Sequence, residues 1–274
     1  MPSKQVDPEA SLAGQVAAIS GGLGDIGSAI ARELARRGAT IAVSDLANSS
    51  DDRVAMLRDD ITLLEAGFRY DKLDVTDRAA TEAWLHKVVA SLGSLRIVVA
   101  NAAVVKWADH TTQTEADWES TLGVNLTGAM HTAEAGVGIM LNQPERDPRS
   151  GGRIVFVGSW AGDRPHRHIP AYCVAKAGLR MLVKTLAMTY ADRRILVNEV
   201  APGYVDAGLS GKVFQEQPEL RAKAERVVPI RELMSPDEVA FHVAHLCDPR
   251  NCNMTGTVLT CDGGLSLLGP AAGE

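Results

Sequence analysis

Seven short runs rich in β-branched residues, separated by longer stretches of helical period, are the feature that most limits how this chain can fold. Such runs form strands buried on both faces, and strands separated by helices pair in parallel because the chain must cross back over the sheet each time. Strands are predicted at Val16–Ser20, Thr40–Asp45, Phe68–Leu73, Arg96–Asn101, Arg153–Gly158, Ile195–Ala201 and Val258–Asp262. Helices are predicted at Ile26–Arg37, Asp52–Glu65, Asp77–Leu92, Thr114–Leu141, Ala171–Tyr190 and Ser235–Cys247. The pattern implies an α/β chain, a doubly wound seven-stranded parallel sheet with helices on both faces, in a single domain over residues 1–274. A 46% hydrophobic content suffices for one large core.

Two stretches break the rhythm, and residues 1–13 are read as an N-terminal extension. Asn142–Gly152 is polar and rich in Pro and Gly, which predicts an exposed loop. Tyr204–Ile230 carries Gly208, Gly211, a charged helical piece and Pro229, as expected of a flap over a substrate site. The net charge of −6 and the lack of a dense basic run argue against a nucleic-acid partner. No run approaches the roughly 20 apolar residues of a membrane span, and Met1–Ser11 is too polar for a signal peptide, so no membrane partner and a cytoplasmic location are expected. Four cysteines without a CxxC pair and seven histidines without an HExxH-type cluster signal neither disulfides nor a metal.

The first strand runs into Ser20-Gly21-Gly22-Leu23-Gly24-Asp25-Ile26-Gly27, and a helix follows. Glycines at such a corner allow a tight turn and let a pyrophosphate reach the N–H groups at the positive end of the helix, so a dinucleotide is the expected occupant. Asp45, closing the second strand, can accept hydrogen bonds from both adenosine ribose hydroxyls; its bland alternative is the cap of the next helix. Leu46 follows it rather than an arginine, the glycine turn offers no basic side chain, and Arg36 and Arg37 lie at the far end of the first helix. These points favour NAD over its 2′-phosphorylated form. Asp74 reads as a turn residue or a neighbour of the adenine, and Asn101-Ala102-Ala103 as small residues permitting close approach.

Tyr172 and Lys176 stand four residues apart, hence on one face of a predicted helix. A nearby ammonium favours the phenolate, as a general acid/base near neutral pH requires. Ser159, thirteen residues earlier and just beyond the fifth strand, can hydrogen-bond the same substrate oxygen. With these motifs in place the chain resembles the short-chain dehydrogenase/reductase family, whose fold is of Rossmann type, and particularly its 3-oxoacyl reductase and sugar or polyol dehydrogenase members. The likeness runs from Gly14 to Leu268 and includes SGGLGDIG, LDV, NAA, WESTLGVNLTG, IVFVGSWAG, YCVAK, APGYV, SPDEVA and MTGTVLTCDGG.

The resemblance implies a catalytic set of Asn125, Ser159, Tyr172 and Lys176, in which Asn125 distorts its helix and holds a water leading to Lys176. It implies a cofactor set of Ser20, Gly21, Leu23, Asp25, Ile26, Gly27, Asp45, Leu46, Asp74, Val75, Asn101, Ala102, Ala103, Tyr172, Lys176, Pro202, Gly203 and Val205. Two positions depart from the pattern: Asp25 replaces a glycine and is read as a helix cap, and Ala207 stands where a threonine would bond the nicotinamide amide. The expected activity is hydride exchange between NAD and a secondary alcohol, with 3-oxoacyl thioester reduction or a non-catalytic NAD-binding sensor as alternatives. A dehydratase or epimerase would want more acid/base groups, and His166 and His168 are read as solvent-facing. Lys106, Trp107, Trp160, Asp163, Arg164, His166, His168 and Tyr204 suggest a pocket for a polar hydroxylated molecule such as a sugar or polyol. Apolar Trp118, Leu122, Leu126, Met130 and Val137 on more than one helix face suggest a homotetramer.

Overall fold

The computed structural model describes residues 12–143, 151–208, 211, 214 and 216–268. Most of the N-terminal extension, most of the loop between Asn142 and Gly152, and five residues of the Tyr204–Ile230 segment lie outside them. The strands are β1 Val16–Ser20, β2 Thr40–Asp45, β3 Phe68–Lys72, β4 Leu95–Ala100, β5 Gly152–Val157, β6 Ile195–Pro202 and β7 Val258–Cys261. They form one parallel sheet in the order β3-β2-β1-β4-β5-β6-β7. The predicted strands all exist, with ends displaced by one residue at most.

Alternate residues of β1 show why the sheet is covered twice. Ala17 and Ile19 pack into the core that holds α1 (Asp25–Arg36), whereas Val16 and Ala18 pack into the opposite core. The first layer also contains α2 (Asp52–Leu63) and the C-terminal helix; the second contains α3 (Arg78–Leu92), α5 (Ala129–Leu141) and α6 (Pro170–Tyr190). Strand order reverses between β1 and β4, so the helices leave the sheet in opposite directions there and a crevice opens beyond the strand ends.

Helix starts follow local chemistry. Asp77 caps α3 by accepting from Ala80 N–H at 2.9 Å, and Thr114 and Asp117 form a reciprocal capping box on α4 (Glu115–Leu122). The predicted helix Thr114–Leu141 is not continuous: a π-helical turn, Gly123–Gly128, separates α4 from α5. Its apolar residues divide accordingly, Val137 joining the core while Leu126 is only partly covered. Exposed apolar side chains instead run along α6 at Val174, Met181 and Met188.

The segment after β6 carries α7 (Pro218–Val227), and α8 (Pro236–Cys247) packs on α1. Around α7, Phe214, Ala224, Val228, Leu233 and Leu265 build a small separate core against which Trp160 and Tyr204 lean. The segment is therefore anchored by its own apolar contacts. Among the described residues no helix is long and apolar enough to cross a membrane.

Candidate active site

A cavity of about 640 Å³ lies in the crevice beyond β1 and β4. Its floor is made by the glycine turn. Gly21 has φ +65°, and a side chain there would sit 2.6 Å from the Ala102 backbone; a side chain at Gly27 would overlap the Gly21 carbonyl. The turn is pinned from β4, since the Asn101 amide donates to the Gly21 carbonyl at 2.8 Å. Helix α1 then points its N-terminus at the cavity, lined there by Gly21, Asp25, Ile26 and Gly27. A flat, side-chain-free backbone at a helix N-terminus suits a pyrophosphate.

Asp45 lines the cavity at the end of β2 and is not a helix cap, because Asp51 caps α2. Its two carboxylate oxygens accept from Leu23 N–H at 3.1 Å and Leu46 N–H at 2.8 Å, which fixes the carboxylate toward the crevice mouth. Asp74 closes a turn by accepting from Thr76 N–H at 2.9 Å, and it lines the cavity with Val75. Leu46, Asn101, Ala102, Ala103, Pro202, Gly203 and Val205 also line it. Ser20 and Leu23 do not: the Ser20 hydroxyl is buried and accepts from Asn101 N–H at 3.3 Å, and Leu23 packs in the core.

The cap reading of Asp25 is corrected. Helix α1 starts one residue earlier than predicted, so Gly24 occupies the cap position, and the Asp25 carboxylate accepts from Gly208 N–H at 2.6 Å. That bond ties the glycine turn to the segment after β6, and a carboxylate in the first turn remains favourable beside the positive helix end. Arg53, near the start of α2, also lines the cavity and was not foreseen. It is held by Asp51 in a two-point pair at 2.9 and 2.8 Å.

At the other end Ser159, Tyr172 and Lys176 meet on one wall. Ser159 follows β5 and its hydroxyl accepts from Ala161 N–H at 3.2 Å. Asn125 sits in the π-helical turn, donates to the carbonyls of Val104 and Thr121, each at 2.8 Å, and accepts from Val104 N–H at 3.3 Å. It thus joins the distorted helix to the chain leaving β4, rather than lining the cavity. The Lys176 ammonium donates to the Val157 carbonyl at 2.8 Å and lies 5.4 Å from the Tyr172 ring centre. Burial pushes Lys176 down to about 8, against a pull upward from Glu199. Burial likewise pushes Tyr172 up to about 12, opposed by its hydrogen bond with Ser159. The expected lowering of the phenol by the ammonium is not found here: desolvation sets the direction for both groups.

Behind this wall lies a buried charge network that the strand pattern concealed. Glu199, fully enclosed in β6, pairs with Arg180 Nε at 3.2 Å; Arg180 also donates to the Ser159 carbonyl at 2.7 Å and pairs with Asp163. Asp163 is thus committed to Arg180, and Arg164 donates to the Ser266 carbonyl at 2.9 Å, so neither of these, nor Lys106, lines the cavity. Trp107, Trp160, His166, His168 and Tyr204 do. The solvent-facing reading of His166 is corrected: its ring is half-buried, edge-on to Trp160 at 4.5 Å, and burial lowers its pKa. His168 is exposed, and Ala207 lines the cavity without a hydroxyl to offer.

Residues 22–266 match the family described as enoyl-(acyl carrier protein) reductase. The chain is 33% identical to cis-4-hydroxycyclohexanecarboxylate dehydrogenase of Sinomonas cyclohexanicum, covering 94% of this chain and 99% of that one. It is 30% identical to 3beta-hydroxysteroid dehydrogenase 1 of Eggerthella lenta, covering 93% and 95%. Among solved structures, a short-chain type dehydrogenase/reductase from Mycobacterium marinum superposes with a TM-score of 0.85 at 26% identity, covering 94% and 98%.

The buried lysine makes a pH signature measurable. Its pKa falls from 10.5 in the open chain to about 8 in the fold, so folding releases a proton between those values and the Lys176 contribution to stability rises with pH across them, whereas burial pushes the Cys247 and Cys261 thiols up to about 12 and makes them act in the opposite sense above their ordinary value of 9. Tyr172 likewise acts in the opposite sense, but only above its ordinary value of 10. From pH 8 to pH 10 the cofactor-free protein should therefore gain about 2 kcal/mol from Lys176, and Lys176→Met should lose that gain. Urea unfolding at both pH values checks this; equal slopes in the two proteins would contradict it.

Proposed function

The chain belongs to the short-chain dehydrogenase/reductase family, and from that membership we propose that it interconverts a secondary alcohol and its ketone on a polar hydroxylated small molecule, using NAD(H). The observation that carries the reading is the meeting of Ser159, Tyr172 and Lys176 on one wall of a cavity whose far end holds Asp45. The glycine turn fits a dinucleotide phosphate, and Asp45 with Leu46, Asp74 with Val75, and Asn101 to Ala103 would hold the rest. A nicotinamide held there would supply the hydride acceptor for oxidation and the hydride donor for reduction.

The protein's own part is proton transfer and orientation. In oxidation Tyr172 removes the alcohol proton while the Ser159 hydroxyl holds the same oxygen; in reduction the phenol returns it. Tyr172 cannot do this readily with its proton held at about 12, so the charge of Lys176 must act on it once the site is assembled. Glu199 supports that charge, because its carboxylate favours the protonated ammonium. Asn125, by bonding Val104 and Thr121, keeps the π-turn and the chain after β4 in register with this wall. The Tyr204–Ile230 segment, resting on Trp160, forms the substrate flap.

Preference for NAD rests on Asp45. A 2′-phosphate beside its carboxylate would bring like charges together at about 4 kcal/mol for a 4 Å separation and an effective dielectric near 20, before screening. Arg53, which feels the Asp45 charge, is itself held by Asp51, so its guanidinium offsets this only in part. The exposed stripe of Val174, Met181 and Met188 on α6 supports assembly as a homotetramer in which this helix is covered by a neighbouring subunit.

Tyr172→Phe should lower kcat by a factor of about 10³ while leaving the Kd for NAD within twofold, and Lys176→Ala should impair both. Nicotinamide absorbance and calorimetry read the two; an active phenylalanine variant would assign the proton to another group. Asp45→Ala with Leu46→Arg should move the kcat/KM ratio toward the phosphorylated cofactor by about 100-fold or more, and an unchanged ratio would remove Asp45 from ribose recognition. Light scattering should give four chains per particle for the native protein and fewer for Met181→Glu; a native monomer at micromolar concentration would end the assembly proposal.

A further inference from the structure

The carboxylates that line the cavity are confined to one of its ends, where Arg53 lines it too. The lining carboxylates Asp25, Asp45 and Asp74 all belong to the end formed by the glycine turn, β2 and β3. Among the described residues, the end formed by Ser159 and Tyr172 is lined by His166, Arg167 and His168 and by no carboxylate. The acids nearby in the chain, Asp163 and Glu199, are already paired with Arg180. Arg167 makes no ion pair among the described residues, and a guanidinium keeps its charge at any ordinary pH.

His166 supplies a separate observation. Its Nε2 is buried without a hydrogen-bond partner, although the ring is fixed edge-on against Trp160 and its backbone N–H donates to Cys173 Sγ at 3.4 Å. A buried polar nitrogen left unpaired is unfavourable, and a ligand atom that completes it recovers that loss. Trp160 in turn meets Tyr204 edge-on at 5.3 Å, which gives this end a rigid aromatic wall. Such a wall suits a flat or ring-shaped body.

We propose that the catalytic end recognises an anion: a secondary alcohol or ketone whose ring-shaped body rests against Trp160 and Tyr204 and whose carboxylate is held by Arg167 and His166. The substrate class rests on the alcohol/ketone reading above, but the anion site does not depend on turnover. A charged guanidinium provides the attraction, and the imidazole, uncharged at neutral pH because burial lowers its pKa, contributes a directional N–H in the tautomer that carries the proton on Nε2.

Calorimetric titration with phenylacetate and with uncharged phenylacetamide, in the presence and absence of NADH, separates charge from shape. The acid should bind at least tenfold more tightly than the amide. His166→Ala and Arg167→Ala should each cut that ratio at least threefold, the double variant should bring it close to one, and Arg167→Lys should keep most of it. Equal affinities in the native protein, or a ratio that survives the double substitution, overturn the proposal. If the acid preference holds while no alcohol or ketone is turned over, the anion site stands and the oxidoreductase reading falls.

Discussion

The approach of the β1 turn to the chain leaving β4 is the contact on which the site depends. At Gly21 the backbone passes so near Ala102 that a side chain would lie 2.6 Å from it, and Asn101 locks the approach with a 2.8 Å hydrogen bond to the Gly21 carbonyl. Because the strand order reverses between these two strands, that contact also sets where the crevice opens and where α1 directs its unpaired N–H groups. Move the turn by the width of one methyl group and the helix end, Asp45 and the catalytic wall lose their common cavity. Asp45 is part of the same lock, since its carboxylate takes the Leu23 N–H from within the turn.

The catalytic wall reflects a different constraint, the cost of burying charge. Lys176, Arg180 and Glu199 are all enclosed, and a buried ion without a partner is strongly unfavourable. The protein answers with one connected arrangement: Arg180 faces Glu199, Asp163 and the Ser159 carbonyl, while the Lys176 ammonium uses the Val157 carbonyl. Two of these bonds end on backbone at the close of β5. The position of Ser159 is therefore held by charges one and two helical turns along α6 from Tyr172.

The sheet was legible in the sequence because each strand is a compact β-branched run and each helix carries a cap or turn signal, such as Asp77 or Ser235. The meeting of Tyr172 and Lys176 on one cavity wall, which follows from their spacing, was legible too. Three things were not. The π-turn at Gly123–Gly128 adds one residue to a helical turn without altering composition, so Thr114–Leu141 reads as unbroken; its cause is the Asn125 side chain bonding across to Val104, a contact far along the chain. Asp25 reads as a cap until the helix start is fixed one residue earlier, and its partner, Gly208, is distant in sequence. Arg53 and His166 reach the cavity only through the folding of α2 and of the loop before α6. One available signal was passed over: an acid inside the apolar run Ile195–Ala201 has to find a cation, and Arg180 is that cation.

Glu199 also reaches into the space beside Gly158, where any side chain would collide with its carboxylate. The absence of a side chain at 158 is thus imposed from the neighbouring strand and not by backbone conformation. Positions 158, 180 and 199 consequently form a set whose members are not interchangeable one at a time. A larger residue at 158 needs a shortened 199, and shortening 199 leaves Arg180 with Asp163 and the Ser159 carbonyl as its remaining partners. Divergence at this wall is therefore coupled, and relatives with a side chain at 158 are expected to carry a smaller residue at 199.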